Sequence, residues 1–593
     1  MRTSGYVTDD MPTRFWFVVL LLAIAVHALG LGGQYIPTNG DEMVYAHIAR
    51  ETAETGHWLP LASELVGTRN TKPPLLFWQA MVAGDWGRHW SLAALRTPSL
   101  IYTLLIAAAV AWTVRLISAS TRDALIAACI YLTFFSTFRY GRAYLTSAPE
   151  TFWFSLPLFG LLWQRLRTAP APTRPGWLLH ALFGLALGLG LAYKSFALIA
   201  PAAAAWWLAL VLSETRFDWP VLLKITLRVS FSAIVALGIF ALWFVLDPDP
   251  GAVWREFIVG ENATKFSDSR GYWHEALAGG GSSVWSQLLA YAVNAGLLAF
   301  VVVGLAWTGW RNRQRPLLGQ RLAPHLGVLL AWAAVWLIVF TLPSQRSARY
   351  VIPAMPAIAM LLALYWREIP RRWFLPTLPL AGMALLMLAR IAWVGHELGL
   401  ASDAEFALTL LAAGLGVITL TTSLFKPAWT RAGAVLACLL VYATFDLAVA
   451  PMDGPSGRYA NDISASLGHH ARIAVPNGFN GQFERFQFMF PGGHRFVPYD
   501  TEARAQTRLA PGAILPAPAQ QLEQLLITHD AVVWVQSSSS ESTPSCLPAC
   551  SVSGQRWQLR SRPSSGEINW ANLWYPQEWL FRREWLLTRA ATR

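Results

Sequence analysis

The sequence predicts a polytopic α-helical membrane protein carrying a small α/β domain at its C-terminal end, and three observations predict it. Of the 593 residues, 54% are hydrophobic and 13% charged, too apolar for a string of soluble domains. Apolar runs of about 20 residues recur from Phe15 to Ala450, each long enough to cross a bilayer as a helix. Lys and Arg gather in every second loop between those runs, as positive charge does on the cytoplasmic side of a membrane. The net charge of +12 therefore reads as topology and not as a nucleic-acid footprint.

Taken in order, Arg2 and Arg14 precede the apolar run Phe15–Leu31, which predicts a cytoplasmic N-terminus and a retained first span. Val26-His27-Ala28 faintly resembles a cleavage site, but the run is long for a signal peptide. Further spans are predicted at 92–117, 121–138, 150–165, 177–193, 196–212, 222–246, 286–308, 325–343, 350–366, 373–394, 402–424 and 430–450, about 13 in all. An odd count places the C-terminal domain outside, and leaves outer loops at 32–91 and 247–285.

The first outer loop opens with the turn residues Pro37-Thr38-Asn39-Gly40. The following DEMVYAHIARETAETG puts Val44, Tyr45, Ile48 and Ala49 on one face and stops at Gly56, predicting an amphipathic helix in the interface. Asp41 and Glu42 in its first turn suit the positive end of the helix dipole; carboxylates beside a membrane are also a mark of function. The helix alone does not choose. Thr71-Lys72-Pro73-Pro74 then returns the chain to the membrane through Leu75-Leu76-Phe77-Trp78.

Lys72, Arg139, Arg142, Lys194, Arg346 and Arg349 fall on the outer side, against the topological bias. Any one of them alone would be explained by snorkelling to headgroups. Their convergence on one face points to an anionic ligand, and Arg and Lys satisfy phosphate oxygens with charge-assisted hydrogen bonds. The short loop RYGRAYLTSAPETFWF contains Ser147, with Glu150 one helical turn on; Glu150 fits both a cap and a site carboxylate. Gly184-x-x-x-Gly188 has no strand before it, so it predicts close helix packing and not a dinucleotide loop. Asp247-Pro248-Asp249-Pro250-Gly251 contains a D-x-D but reads as a turn. Beyond Pro451 the apolar runs stop. The predicted division is 1–451 for the membrane domain and 452–593 for an α/β domain, with strands at Arg472–Pro476, Arg495–Pro498, Ala531–Gln536 and Arg556–Leu559. Cys546 and Cys550 read as a local disulfide in an oxidising compartment. No metal-ligand set is legible.

These motifs, in order over 30–360, resemble the lipid-dependent glycosyltransferases of the GT-C type, a superfamily that includes protein O-mannosyltransferases and bacterial aminoarabinose transferases. The resemblance rests on DE-x-x-Y followed by KPPLLFW, the junction with Ser147 where the superfamily has T-D-A-P, Tyr193-Lys194-Ser195 for its L-x-K-G turn, and Glu261-Asn262 in its E-N-x-x-K-F helix. It rests also on Arg346-x-x-Arg349-Tyr350-x-x-Pro353. It implies a GT-C membrane domain moving a sugar from a polyprenyl-phosphate carrier to a lipid A, glycan or protein acceptor at the periplasmic face of a bacterial inner membrane. It implies Asp41 as general base, Glu42 and Glu150 as carboxylates that orient the acceptor or tune Asp41, and Lys72, Lys194, Arg346 and Arg349 on the donor phosphate. Tyr45, Arg142, Ser147, Glu261, Asn262 and Tyr350 are further expected substrate contacts. No cofactor is assigned, and a divalent metal is left open.

Two departures bear on substrate. Aminoarabinose transferases typically read D-E-A-R-Y, where this chain has Val44, and Ser147 replaces an Asp. The alternatives are a transporter or flippase of a lipid-linked or anionic substrate, and a catalytically degenerate relative. Neither midplane charges nor internal repeats stand out to favour transport.

Overall fold

The computed structural model describes residues 11–33, 40–62, 72–167, 176–214, 218–263, 272–311, 323–344, 346–453, 465–468, 470–477, 482–490, 493–500, 518–536, 541–560, 567 and 569–590; side chains at 260–263, 323–324, 453, 477 and 482 lie outside that description. The turn at 37–39 and the side chains of Glu261 and Asn262 are therefore outside the described residues.

Every predicted span contains helix. The first ten helices are α1 (Thr13–Ala28), α2 (Gly40–Glu54), α3 (Leu75–Ala83), α4 (Leu92–Ser118), α5 (Thr121–Thr133), α6 (Phe135–Tyr140), α7 (Ser147–Arg167), α8 (Trp177–Tyr193), α9 (Ile199–Leu212) and α10 (Trp219–Leu246). Several begin at the capping residue the sequence supplies. Ser91 accepts from the Ala94 amide, Ser120 from Asp123 and Asp218 from Val221, each satisfying an otherwise orphaned donor. Ser402 and Glu405 form a reciprocal capping box on the helix Asp403–Phe425.

Among the described residues, six helical stretches are long and apolar enough to cross a membrane: α4, α10, Ala290–Arg311, Arg371–Glu397, Asp403–Phe425 and Pro427–Met452. α1, α8 and the stretches Phe196–Leu212, His325–Val339 and Ala348–Leu364 are apolar but shorter. Some shortening has local causes: the backbone turns extended at Phe134 between α5 and α6, and Pro353 lies inside a tight helical turn, Ala348–Ala354, where it cannot donate to a regular helix. Gly184 and Gly188 serve helix packing. A Cβ at Gly184 would lie 2.7 Å from the Ser232 carbonyl of α10, and one at Gly188 2.6 Å from the Ile239 Cβ, so α8 and α10 touch nearly backbone to backbone. The D-x-D is a turn: the Asp249 side chain accepts from the Ala252 amide at 3.0 Å, and Asp247 accepts from the Asp249 amide at 2.9 Å.

The C-terminal part contains a five-stranded mixed sheet in the order β2-β1-β3-β5-β4. The strands are β1 (Arg472–Asn477), β2 (Arg495–Asp500), β3 (Ala531–Val535), β4 (Cys550–Leu559) and β5 (Phe581–Arg589). β1 runs parallel to β2 and β3, whereas β5 is antiparallel to β3 and β4. β5 was not expected, because FRREWLLTR carries three charges in succession. It is nevertheless a central strand: fully buried Glu584 stands opposite Arg556 in the β4 register and takes its Nε at 2.6 Å, so the charge is paired inside the sheet. Cys546 and Cys550 form the disulfide.

Candidate active site

The site is built around the first turn of α2. Adjacent helical residues point about 100° apart, so Asp41 and Glu42 cannot face the same way. Glu42 faces inward and is fully buried. Arg96 of α4, equally buried, grips both its oxygens at 2.6 and 2.8 Å, and the Tyr144 amide donates to Oε1 at 2.8 Å. This fork-on-carboxylate geometry fixes direction as well as distance. Asp41 consequently faces outward with 43% of its side chain exposed, and Arg349 reaches its Oδ2 at 3.4 Å.

A second acid and base stand beside that pair. Glu150, in the first turn of α7, is buried except for 3%; Lys194, just past α8, meets its Oε2 at 3.1 Å. Its Oε1 has no hydrogen-bond partner among the described residues. The Lys194 ammonium also lies 5.7 Å from the centre of the Tyr350 ring, next in chain to Arg349, whose guanidinium covers Tyr140 at 4.9 Å. Tyr350 thus joins the Asp41–Arg349 and Glu150–Lys194 pairs into one polar patch at the ends of the helices. Lys72 is half-buried in the turn before α3, behind buried Pro73 and Pro74. That turn is drawn to α2 by Tyr45, whose ring meets Phe77 edge to face at 5.8 Å. Ser147 is buried at the start of α7, and its carbonyl accepts from the Thr151 hydroxyl. Among the described residues, no group of three or more His, Cys, Asp or Glu gathers as metal ligands.

Two expected site residues, Arg142 as a substrate contact and Arg346 on the donor phosphate, make contacts within the protein. Arg142 is fully buried and spends its donors internally: on Asp446 at 2.8 and 3.1 Å and on the carbonyls of Val26, Leu29 and Phe138. It staples α1 and the helix Thr430–Val449 to its own loop, because a guanidinium taken out of water needs every donor matched. Arg346 and Arg349 take different partners. Arg346 is buried and turns to the carbonyls of Thr341 at 2.8 Å and Ser282 at 3.1 Å, with Tyr272 against its face.

The α2 helix itself departs from an interfacial helix with a free polar face. Val44, Ala46, Ile48 and Ala49 are buried against Leu76, Phe77 and Ala80 of α3 and Leu95 of α4. Its polar side faces the C-terminal domain, where Glu484 is fully buried and receives His47 Nδ1 at 2.9 Å, Arg50 Nε at 2.7 Å and Trp90 Nε1 at 3.3 Å. Burial would push the Glu484 carboxyl up; the His47 hydrogen bond and the Arg50 charge outweigh it and hold the carboxyl below its ordinary range. Arg96, Tyr144, Asp446 and Glu484 were not expected from sequence. Arg96 and Asp446 did carry a signal, since each is a charge inside a predicted span.

Over residues 12–250 the chain matches the family of dolichyl-phosphate-mannose-protein mannosyltransferases, a stretch holding Asp41, Lys72, Glu150 and Lys194. The fold aligns with ArnT from Cupriavidus metallidurans bound to undecaprenyl phosphate at a TM-score of 0.60 and 15% identity, covering 97% of this chain and 98% of that one. The chain thus resembles the lipid-dependent glycosyltransferases in sequence over its first part and shares the ArnT fold over its length. Among GT-C relatives, an undecaprenyl phosphate-alpha-4-amino-4-deoxy-L-arabinose arabinosyl transferase of Pectobacterium carotovorum is 26% identical over 404 residues, 68% of this chain. A namesake from Sodalis glossinidius is 29% identical over 338 residues, 55% of this chain and 54% of its own. The matched region spans 65% of the length of the Pectobacterium relative.

Proposed function

We propose that this GT-C protein transfers a sugar from a polyprenyl-phosphate carrier to an acceptor hydroxyl at the outer face of a bacterial inner membrane. The observation that carries the reading is the Asp41–Arg349 pair, a part-exposed carboxylate on a part-exposed guanidinium at 3.4 Å, held on a helix start that the Glu42–Arg96 clamp fixes. The match of relatives whose names specify undecaprenyl phosphate-linked aminoarabinose supports the donor class.

In this reading the donor phosphate draws Arg349 away from Asp41, and Asp41 acts as the base. Asp41 takes the acceptor hydroxyl's proton as that oxygen bonds to the anomeric carbon; the carbon–oxygen bond to phosphate breaks on the opposite side, with inversion. The leaving polyprenyl phosphate is stabilised by Arg349, Lys194 and Lys72 in place of a general acid. Glu150 orients a substrate hydroxyl through its unpartnered Oε1 and stands in for the carboxylate missing at Ser147. Glu42 acts only through position, since both its oxygens are already occupied. Tyr45 and Tyr350 line the site, and Arg346 orders the Ser282 and Thr341 loops. About 13 spans, with a cytoplasmic N-terminus and the sheet domain in the periplasm, complete the arrangement. Sugar and acceptor are set by pocket shape, and a lipid A, another glycan or a protein each fits the chemistry.

The test is transfer of label from a panel of radiolabelled polyprenyl-phosphate sugars to a total membrane acceptor extract, using purified protein in lipid. Wild type transfers and Asp41→Asn does not; no transfer from any donor by folded wild type would sink the reading and favour transport.

A further inference from the structure

The sheet domain meets the membrane helices along a face rich in unburied aromatic side chains. Between β4 and β5 two short helical turns, Trp570–Trp574 and Pro576–Trp579, present Trp570, Trp574 and Tyr575 at 66%, 49% and 52% exposure. Pro576 and Trp579 of the same segment are buried, so the segment is seated by one side while three large rings are left on the other.

The neighbouring helix Thr377–Glu397 gives the level of these rings. Its positions 383, 386, 390, 393 and 397 follow the 3–4 spacing of one helix face and read Met383, Leu386, Arg390, Trp393 and Glu397. Met383, Leu386 and Trp393 are exposed at 40%, 54% and 50%. The face is apolar up to Leu386, changes at Arg390, and ends in a Trp393 whose indole donates to Glu397 at 2.6 Å. That order, hydrocarbon-compatible side chains followed by Arg and Trp, is how a lipid-facing helix leaves the bilayer core. The boundary therefore falls near Arg390, about 10 Å along the axis inside Glu397. Arg390 is bound to the aromatic segment: its Nε donates to the Trp574 carbonyl at 2.9 Å, and its guanidinium lies 5.8 Å from the Trp574 ring centre. Beyond this contact, toward and past the end of the helix, Val394, Leu400 and Met452 pack on Phe581 at the start of β5, which fixes the domain at that height.

We infer that the 569–575 segment is a membrane anchor of the sheet domain, with Trp570, Trp574 and Tyr575 inserted among the lipid headgroups of the leaflet on the domain's side. The occupant of this face is lipid, because the face continues the lipid-facing side of a spanning helix at the depth where that side turns polar. Indole and phenol rings suit such a level, with an apolar body and a polar edge. The anchor works with the Phe581 contact to hold the domain against the helices, independently of the chemistry at Asp41.

Full-length protein in nanodiscs tests this, with an environment-sensitive fluorophore attached at Trp570→Cys, at Tyr575→Cys or, as a control on the domain, at Ile527→Cys, which is 68% exposed. Phospholipids brominated near the headgroup end of their chains quench the labels at 570 and 575 and leave the label at 527 unaffected; aqueous iodide does the reverse. Both 570 and 575 are exposed positions, so labelling spares the core, and unchanged melting of each labelled protein verifies that. Iodide quenching at 570 and 575 equal to that at 527 would overturn the inference. So would protection from both quenchers, which would mean that a second copy covers the face.

Discussion

Truncation of Glu484 tests whether the sheet domain holds α2, and with it Asp41, in place. Glu484→Ala removes the acceptor of His47 Nδ1 at 2.9 Å, of Arg50 Nε at 2.7 Å and Nη2 at 3.2 Å, and of Trp90 Nε1 at 3.3 Å. Removing one partner of a buried charge pair costs about 3–5 kcal/mol. Arg50 keeps Glu51 and Glu54 as partners, so the cost lies near the low end, about 3 kcal/mol. That raises the population with α2 undocked about a hundredfold. Hydrogen exchange of the 40–54 amides reads this directly: protection falls by about two orders of magnitude, while β1 and β3 keep theirs. Sugar transfer falls with it. Because the Glu484 carboxyl is held below its ordinary value in the folded protein, its contribution is fully present above about pH 4.3 and is lost as the pH falls through the lowered value. Wild-type protection across 40–54 together with wild-type transfer in Glu484→Ala would refute the reasoning.

Further outcomes follow from the same geometry. Asp41→Asn lowers transfer about 10²–10⁴-fold, the usual worth of a general base, with melting unchanged; equal loss of stability would mean that Asp41 is only a cap. Glu42→Gln leaves buried Arg96 without its counter-charge and destabilises the protein by about 3–5 kcal/mol, read as a drop in melting temperature in detergent; an unchanged melt would contradict the clamp. Glu150→Gln reduces transfer, and adding Ser147→Asp, a carboxylate at a favourable helix start, restores part of it. No recovery in the double variant would show that the two positions do not substitute for each other. Arg142→Met, which strands Asp446, costs more stability than Arg349→Met, whereas Arg349→Met costs more transfer; thermal melts and transfer rates measured together decide it.

The sequence by itself determined the helical membrane architecture, four of the five strands and the order of the polar motifs. These are local or periodic properties: hydropathy over a window, alternation along a strand, glycines four apart. It also brought Asp41, Glu150, Lys194 and Arg349 forward as residues to watch. Tertiary structure decided what each charge is for. Nothing local separates Arg142 from Arg349, both arginines of short segments between helices, yet one is fully buried on Asp446, 304 residues away, and the other is left part-exposed on Asp41. Adjacent Asp41 and Glu42 part company because buried Arg96 lies on one side of α2 and part-exposed Arg349 on the other. The fate of a charged group depends on whether a distant partner reaches it when water is removed. That partner is chosen by how helices and sheet pack, and here Glu484 of the sheet domain is set against α2 by a fold no local pattern specifies.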